Sequence, residues 1–248
     1  MKKDDKLSSY QAKQDLIKGR KLIASKDNRF ALLAAVAAVA IAFAGQTIYF
    51  TAGPGSQTVS DSEAESPEQA EGQNSLPSPD LAENRTWTSS LELNGSPVTL
   101  ELDGVNAPQA VANFISLSQA GYFEGITCHR LVTQGIYVLQ CGDPSGDGTG
   151  GPGYNFGPIE NAPAGDLYSE GVLAMARRGG DGSSMGSQFF IVYQDSTIPS
   201  DQAGGYTVFG RVTGGLDAIK SIAAQGTADG STDGRPASEV TLGNVSVE

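Results

Sequence analysis

TWTSSLELNGSPVTLELD, running from Thr86 to Asp103, decides the fold class. Apolar Trp87, Leu91 and Leu93 alternate with polar residues, Asn94-Gly95-Ser96-Pro97 interrupts, and the alternation resumes through Val98, Leu100 and Leu102. Successive side chains of a strand point to opposite faces, so this pattern predicts a β-hairpin with one buried face. Asn106 is placed to cap a helix with Pro108 in its first turn, and Val111, Phe114, Ile115 and Ser118 share one face before Gly121 ends it. A single apolar stripe predicts packing against a sheet. The apolar runs CHRLV, IYVLQC, GVLAMA, QFFIVY and YTVFGRV then recur between glycine-rich turns, followed by a short helix around 216–224 and a closing strand around 240–247. Many strands with few helices predict a barrel or sandwich over 86–248.

Upstream the character changes. Residues 30–50, FALLAAVAAVAIAFAGQTIYF, hold no charge and are long enough to cross a bilayer as a helix. The basic segment 1–29, with nine Lys/Arg against four Asp/Glu, precedes them. The positive-inside rule then puts the N-terminus in the cytoplasm and everything after Phe50 outside, a single-pass cell-membrane protein. A cleaved signal peptide is the alternative, since Ala42-Phe43-Ala44 has the A-x-A form, and would release the domain. Residues 51–85 carry seven acidic residues, several Pro, Ser and Gly and few large apolar side chains, which predicts a disordered acidic linker.

The domain itself has six Lys/Arg against seventeen Asp/Glu, a balance that repels phosphate backbones and argues against nucleic-acid binding. One His and two Cys give too few ligands for a zinc site, and no metal or cofactor is expected. Asp143, Ser145, Asp147 and Gly148 imitate the start of a calcium loop, but Tyr154 stands where a bidentate Glu is required. Gly182-Ser183-Ser184-Met185-Gly186 fits G-x-S-x-G, yet His129 precedes Ser184 where that hydrolase order needs a later His. Gly146 to Gly151 satisfies G-x-G-x-x-G but runs on into Pro152, so it reads as a surface loop. Cys128 and Cys141 flank a turn near Gln134-Gly135 and would face each other in a hairpin, either as a disulfide or as two small buried hydrophobes.

Several segments, in order, resemble the cyclophilin family: Ala107-Pro108-Gln109-Ala110-Val111-Ala112-Asn113-Phe114; Gly121-Tyr122-Phe123; Cys128-His129-Arg130; Tyr137 to Asp143; Gly148-Thr149-Gly150-Gly151; Gly186-Ser187-Gln188-Phe189-Phe190-Ile191; and Val208 to Val212. The resemblance covers about Thr86 to Val247. It implies a closed eight-stranded antiparallel β-barrel capped by two helices, with a substrate groove on its outer surface. It also implies peptidyl-prolyl cis/trans isomerase activity on proline-containing, exported polypeptides, by a monomeric domain with no cofactor.

By the same resemblance Arg130, Gln140 and Phe190 are the catalytic residues. Tyr137, Val138, Phe190 and Ile198 would hold the proline ring, Gln140 and Gln188 would orient guanidinium and substrate, and Ala176, Arg177, Tyr206 and Gly150 would border the peptide. His129 is expected to be a satisfied structural histidine. Thr197 stands where well-known members carry Trp, Tyr206 where many carry His, and Arg177 where Asn is usual. The rival function is a surface-displayed module that binds proline peptides with little catalysis.

Overall fold

The computed structural model describes residues 75–248. The basic segment, the apolar stretch 30–50 and most of the acidic linker lie outside the described residues. Among the described residues no helix is long and apolar enough to cross a membrane.

The hairpin forms as its alternation requires. β1 (Thr86–Leu93) pairs with β2 (Ser96–Asp103), Trp87 opposite Leu102 and Leu91 opposite Val98. Asn94 and Gly95 both adopt positive φ, 51° and 77°, the geometry that lets a two-residue turn match strand twist. The remaining strands are β3 (Arg130–Val132), β4 (Val138–Cys141), β5 (Leu167–Tyr168), β6 (Val172–Met175), β7 (Phe189–Val192), β8 (Ser196–Thr197), β9 (Val208–Gly214), β10 (Asp233–Gly234) and β11 (Leu242–Val247). The α-helices of the described residues are α1 (Pro108–Gln119) and α2 (Leu216–Ala223).

The expected closed eight-stranded barrel is corrected to a curled nine-stranded sheet, in the order β10-β3-β4-β7-β6-β9-β2-β1-β11, beside a two-stranded ribbon of β5 and β8. The cause is β10, which pairs with β3 through Asp233–Val132 and Gly234–Leu131 and so takes that strand's outer edge. The start of β11 and the residues just before it instead meet the chain before β3. Cys128 N–H donates to Val240 O, and Leu242 N–H to Ile126 O, both at 2.8 Å, with a single bridge between Thr127 and Thr241.

Order also begins earlier than the composition implies. Residues 79–82 form a 3₁₀ turn, Ala82 is fully buried, and the Trp87 indole donates to Ala82 O at 2.8 Å. A buried indole N–H requires an acceptor, and this acceptor draws the end of the expected linker into the domain. The N-cap is likewise displaced: Asn106 is tied to Asp103, and Ala107 occupies the cap without a side-chain bond. Glu160 replaces it from fifty residues away, each carboxylate oxygen accepting at 3.0 Å from Gln109 or Ala110 N–H. An anion there satisfies orphan donors and complements the helix dipole.

α1 packs Phe114 into a ring cluster with Phe123, Phe189 and Phe209, centroids 5.1 to 5.7 Å from it. This is the interior core. A second apolar cluster, including Val132, Val138, Tyr168, Phe190, Val192 and Ile198, lies on the other side of the sheet. β7 is therefore buried on both faces, with Phe189 and Ile191 in the first cluster and Phe190 and Val192 in the second.

Candidate active site

Strand register assembles the site. Arg130 lies opposite Gln140, Gln140 opposite Phe190, and Phe190 opposite Ala174, one row across β3, β4, β7 and β6. Their neighbours Leu131, Leu139, Ile191 and Leu173 belong to the interior cluster, so period 2 sends the row to the outer face. There a cavity of about 140 Å³ is lined by Arg130, Ile136, Val138, Gln140, Ala176, Arg177, Phe190, Ile198 and Tyr206. Drug-sized ligands occupy roughly 300 Å³ or more, so this hollow suits a small apolar ring or side chain. Tyr206 meets Phe190 edge-on at 5.5 Å and forms one wall.

Tyr137 does not line it, a correction with a simple cause. It alternates with Val138, so it falls on the interior phase and packs edge-on against Tyr193 at 5.9 Å. Ile136, two residues before Val138, holds the outward phase and takes the lining position.

A directed chain of hydrogen bonds leaves the guanidinium. Arg130 Nη1 donates to Gln140 Oε1 at 3.3 Å, Gln140 Nε2 to Gln188 Oε1 at 2.9 Å, and Gln188 Nε2 to the carbonyls of Gly148 and Gly150 at 3.0 and 2.8 Å. Arginine can only donate and carbonyls can only accept, so the orientation of both amides is determined. Gln140 and Gln188 lie with Gly148 to Gly151, Ala176 and Arg177 around an adjoining hollow of about 410 Å³. A third, of about 400 Å³, is bounded by His129, Arg130, Gln140, Asp147, Asp233 and Arg235.

The glycine loop is held from within. Asp143, 1% exposed, accepts from the backbone N–H groups of Ser145, Asp147 and Gly148, and its carboxyl sits below the ordinary value. Burial opposes that shift, and the three N–H groups together overcome it. The residue that imitated a calcium ligand is thus an internal anchor of its own loop. Ser184 Oγ is similarly engaged, donating to Asp181 O and accepting from Arg178 N–H.

The two arginines differ sharply. Arg177, its side chain 1% exposed, donates all five N–H groups: to Gly205 O, Arg178 O, Gly204 O and both oxygens of Asp201, while its guanidinium lies 4.6 Å from the Tyr206 ring centroid. It can give a substrate only main-chain groups. Arg130 is partly exposed, and Asp233 carries Nε and Nη2 on its two oxygens at 2.7 Å each. With Gln140 on Nη1, three of five N–H groups are engaged and one on each terminal nitrogen is left. The Asp233 bonds raise the Arg130 pKa further, so the cation persists. Asp233 carries no local motif and is absent from the residues that sequence singled out.

His129 is buried, and among the described residues no protein group bonds either ring nitrogen. Burial is the largest influence on it and holds its pKa below the usual value. Cys128 and Cys141 are joined as a disulfide, both buried, immediately beside His129–Arg130 and Gln140. Thr197 is exposed on β8.

Residues 88–247 match the sequence model of the family described as cyclophilin type peptidyl-prolyl cis-trans isomerase/CLD. The chain is 45% identical over 168 residues to "Probable peptidyl-prolyl cis-trans isomerase B" of Mycobacterium tuberculosis, a match covering 63% of this chain and 53% of that one. It is 40% identical over 130 residues to "Peptidyl-prolyl cis-trans isomerase B" of Bacillus subtilis, covering 52% and 85% respectively. The chain thus spans about half the length of the mycobacterial relative. A crystal structure of a Cryptosporidium parvum cyclophilin type peptidyl-prolyl cis-trans isomerase superposes with a TM-score of 0.56 at 28% identity, covering 66% of this chain and 98% of that one. A second structure of that protein, in the presence of the dipeptide Ala-Pro, gives 0.54. With its motifs in order and its outward row of Arg130, Gln140 and Phe190, the chain belongs to the cyclophilin type peptidyl-prolyl cis-trans isomerase family.

Proposed function

We propose that this chain catalyses peptidyl-prolyl cis/trans isomerisation of proline-containing polypeptides without a covalent intermediate. The observation that carries the reading is a fixed cation with unengaged N–H groups at the rim of a small apolar cavity. Rotation about an X-Pro amide faces a barrier of roughly 18–20 kcal/mol because resonance is lost, although the two planar forms differ by only about 0.5–1 kcal/mol. At the top of the barrier the prolyl nitrogen regains a lone pair. A donor at that nitrogen therefore binds the twisted amide better than either planar form, which is the requirement for catalysis.

In this mechanism Arg130 supplies the donor, while Phe190, Ile198, Val138, Ile136 and Tyr206 hold the ring. Gln140 and Gln188 align the guanidinium with the peptide. Ala176 engages its N–H with Gln188 O at 2.9 Å, so its carbonyl is the group left for a peptide strand. Lowering the barrier by about 4 kcal/mol accelerates rotation roughly a thousandfold. The Ala-Pro dipeptide present with the Cryptosporidium relative carries a small apolar ring of the kind this cavity suits.

The test is the isomerisation of a short X-Pro peptide by the full chain and by Arg130→Ala. The expected result is a loss of roughly a hundredfold to a thousandfold in kcat/KM in the variant. An inert wild type that still binds the peptide would establish the binding module instead.

The charge asymmetry around residues 30–50 supports a location outside the membrane with exported proteins as clients, and the disulfide suits an oxidising compartment. Protease added to intact cells should digest the domain. Protection until the membrane is opened would overturn that location.

A further inference from the structure

A transition-state donor must not wander, and an arginine side chain has many rotamers to lose on being fixed. Arg130 opens β3 with its side chain 42% exposed, so packing alone does not hold it. Gln140 touches it through one 3.3 Å bond. The strong contact comes from β10, 103 residues further along the chain, where Asp233 grips Nε and Nη2 in a planar fork. Such a fork fixes the plane of the guanidinium as well as its position, and so the direction of the remaining N–H groups.

The carboxylate is itself mounted on a braced loop. Asp229 Oδ1 accepts from Thr227 Oγ1 and Ser231 N–H, Ser231 Oγ donates to Asp233 O, and Thr133 N–H donates to Thr232 O. Arg235 ties the far side to Gly146 O at 2.8 Å. A free-standing surface ion pair would not need this framework, and exposed pairs contribute little to stability. With Asp233 49% exposed, the value of the contact lies in orientation.

We infer that Asp233 is a positioning residue of the active site, whose bidentate bond aims the Arg130 guanidinium at the prolyl nitrogen. The inference rests on the isomerase reading above and adds a residue to it. An Asn there would set an amide N–H₂ against a donor, so the requirement is for a carboxylate.

The test uses the full chain, with Asp233→Ala, Asp233→Asn and Asp233→Glu made in both the wild-type and Arg130→Ala backgrounds. The expected result for Asp233→Ala and Asp233→Asn is a fall in kcat of about tenfold, roughly the factor that one charge-assisted contact supplies, with KM within about twofold. Asp233→Glu should recover part of the loss, and none of the three should lower activity further once Arg130 is gone. The Arg130 side-chain N–H resonance should be protected from solvent exchange in the wild type and lose protection in Asp233→Ala, a readout independent of turnover. Unchanged kcat and protection in Asp233→Ala, or an equal loss in both backgrounds, would overturn the inference while leaving Arg130 as the donor. An inert wild type, or a fully active Arg130→Ala, would overturn the isomerase reading and this inference with it.

Discussion

Gln140 and Gln188 are joined by a 2.9 Å bond that runs in one direction only, from the Nε2 of the first to the Oε1 of the second. Its polarity is imposed from both ends, by a guanidinium that cannot accept and by two glycine carbonyls that cannot donate. Gln188→Glu keeps the shape but turns a carboxylate oxygen toward Gly148 O and Gly150 O. Losing two hydrogen bonds at about 0.5–1.5 kcal/mol each, kcat/KM should fall roughly tenfold. Progress curves on an X-Pro peptide measure this, and an undiminished kcat/KM would show that the loop does not depend on the amide.

Ile136 and Tyr137 give a second test, because these two adjacent residues just ahead of β4 face opposite ways. Ile136→Ala should raise KM for a prolyl peptide several-fold with little change in unfolding midpoint, since it opens the wall of the 140 Å³ cavity. Tyr137→Ala should do the reverse, leaving KM near the wild-type value and costing about 2–4 kcal/mol of stability through the lost contact with Tyr193 and the interior cluster. Urea denaturation beside steady-state kinetics separates the two. A KM effect confined to Tyr137→Ala would mean that β4 is shifted by one residue.

The same pair shows where sequence reading succeeds and stops. Alternation is local, so the β1–β2 hairpin and the α1 stripe are legible along the chain, whereas Arg130, Gln140 and Phe190 come from resemblance alone, because β7 is apolar on both faces and carries no alternation. Which residue follows Val138 around the cavity wall depends on phase carried through a turn, and resemblance alone points to Tyr137. Contacts made at long separation are silent: Glu160 capping α1 and Asp233 gripping Arg130 have no local signature. Asp233-Gly234 has no strand pattern of its own, and it pairs as β10 with the edge of β3. The end of the linker was hidden for a related reason, since the need of the Trp87 indole for Ala82 O outweighs a polar composition.

The disulfide closes a short loop, its cysteines 13 residues apart in sequence, and constrains the unfolded chain more than the folded one. Replacing both with Ala should cost about 3 kcal/mol, read from urea denaturation of the oxidised wild type against the double variant. Because Cys128 and Cys141 flank the Arg130–Gln140 pair, kcat should be compared in the same samples. A variant as stable as the wild type would mean that the sulfurs are not bonded in the folded protein.

Arg177 and Asp201 make the fold's response to acid specific. Bonds from the Arg177 guanidinium, then from Gly180 and Ala203 N–H, hold the Asp201 carboxyl well below the usual carboxylate range. A carboxyl depressed on folding contributes stability that is complete above its unfolded value, near 3.9, and is lost as pH falls toward the folded value. Asp201→Asn removes that contribution at neutral pH and leaves nothing to titrate. The variant should therefore be less stable than the wild type at pH 7, and the gap should narrow as pH drops from about 5 to about 3, because only the wild type loses the contribution there. Urea midpoints at pH 7, 5 and 3 give the two curves. Parallel curves would show that the carboxylate is not gripped by Arg177, and would leave a buried guanidinium beneath the Tyr206 wall with no counter-ion to explain its burial.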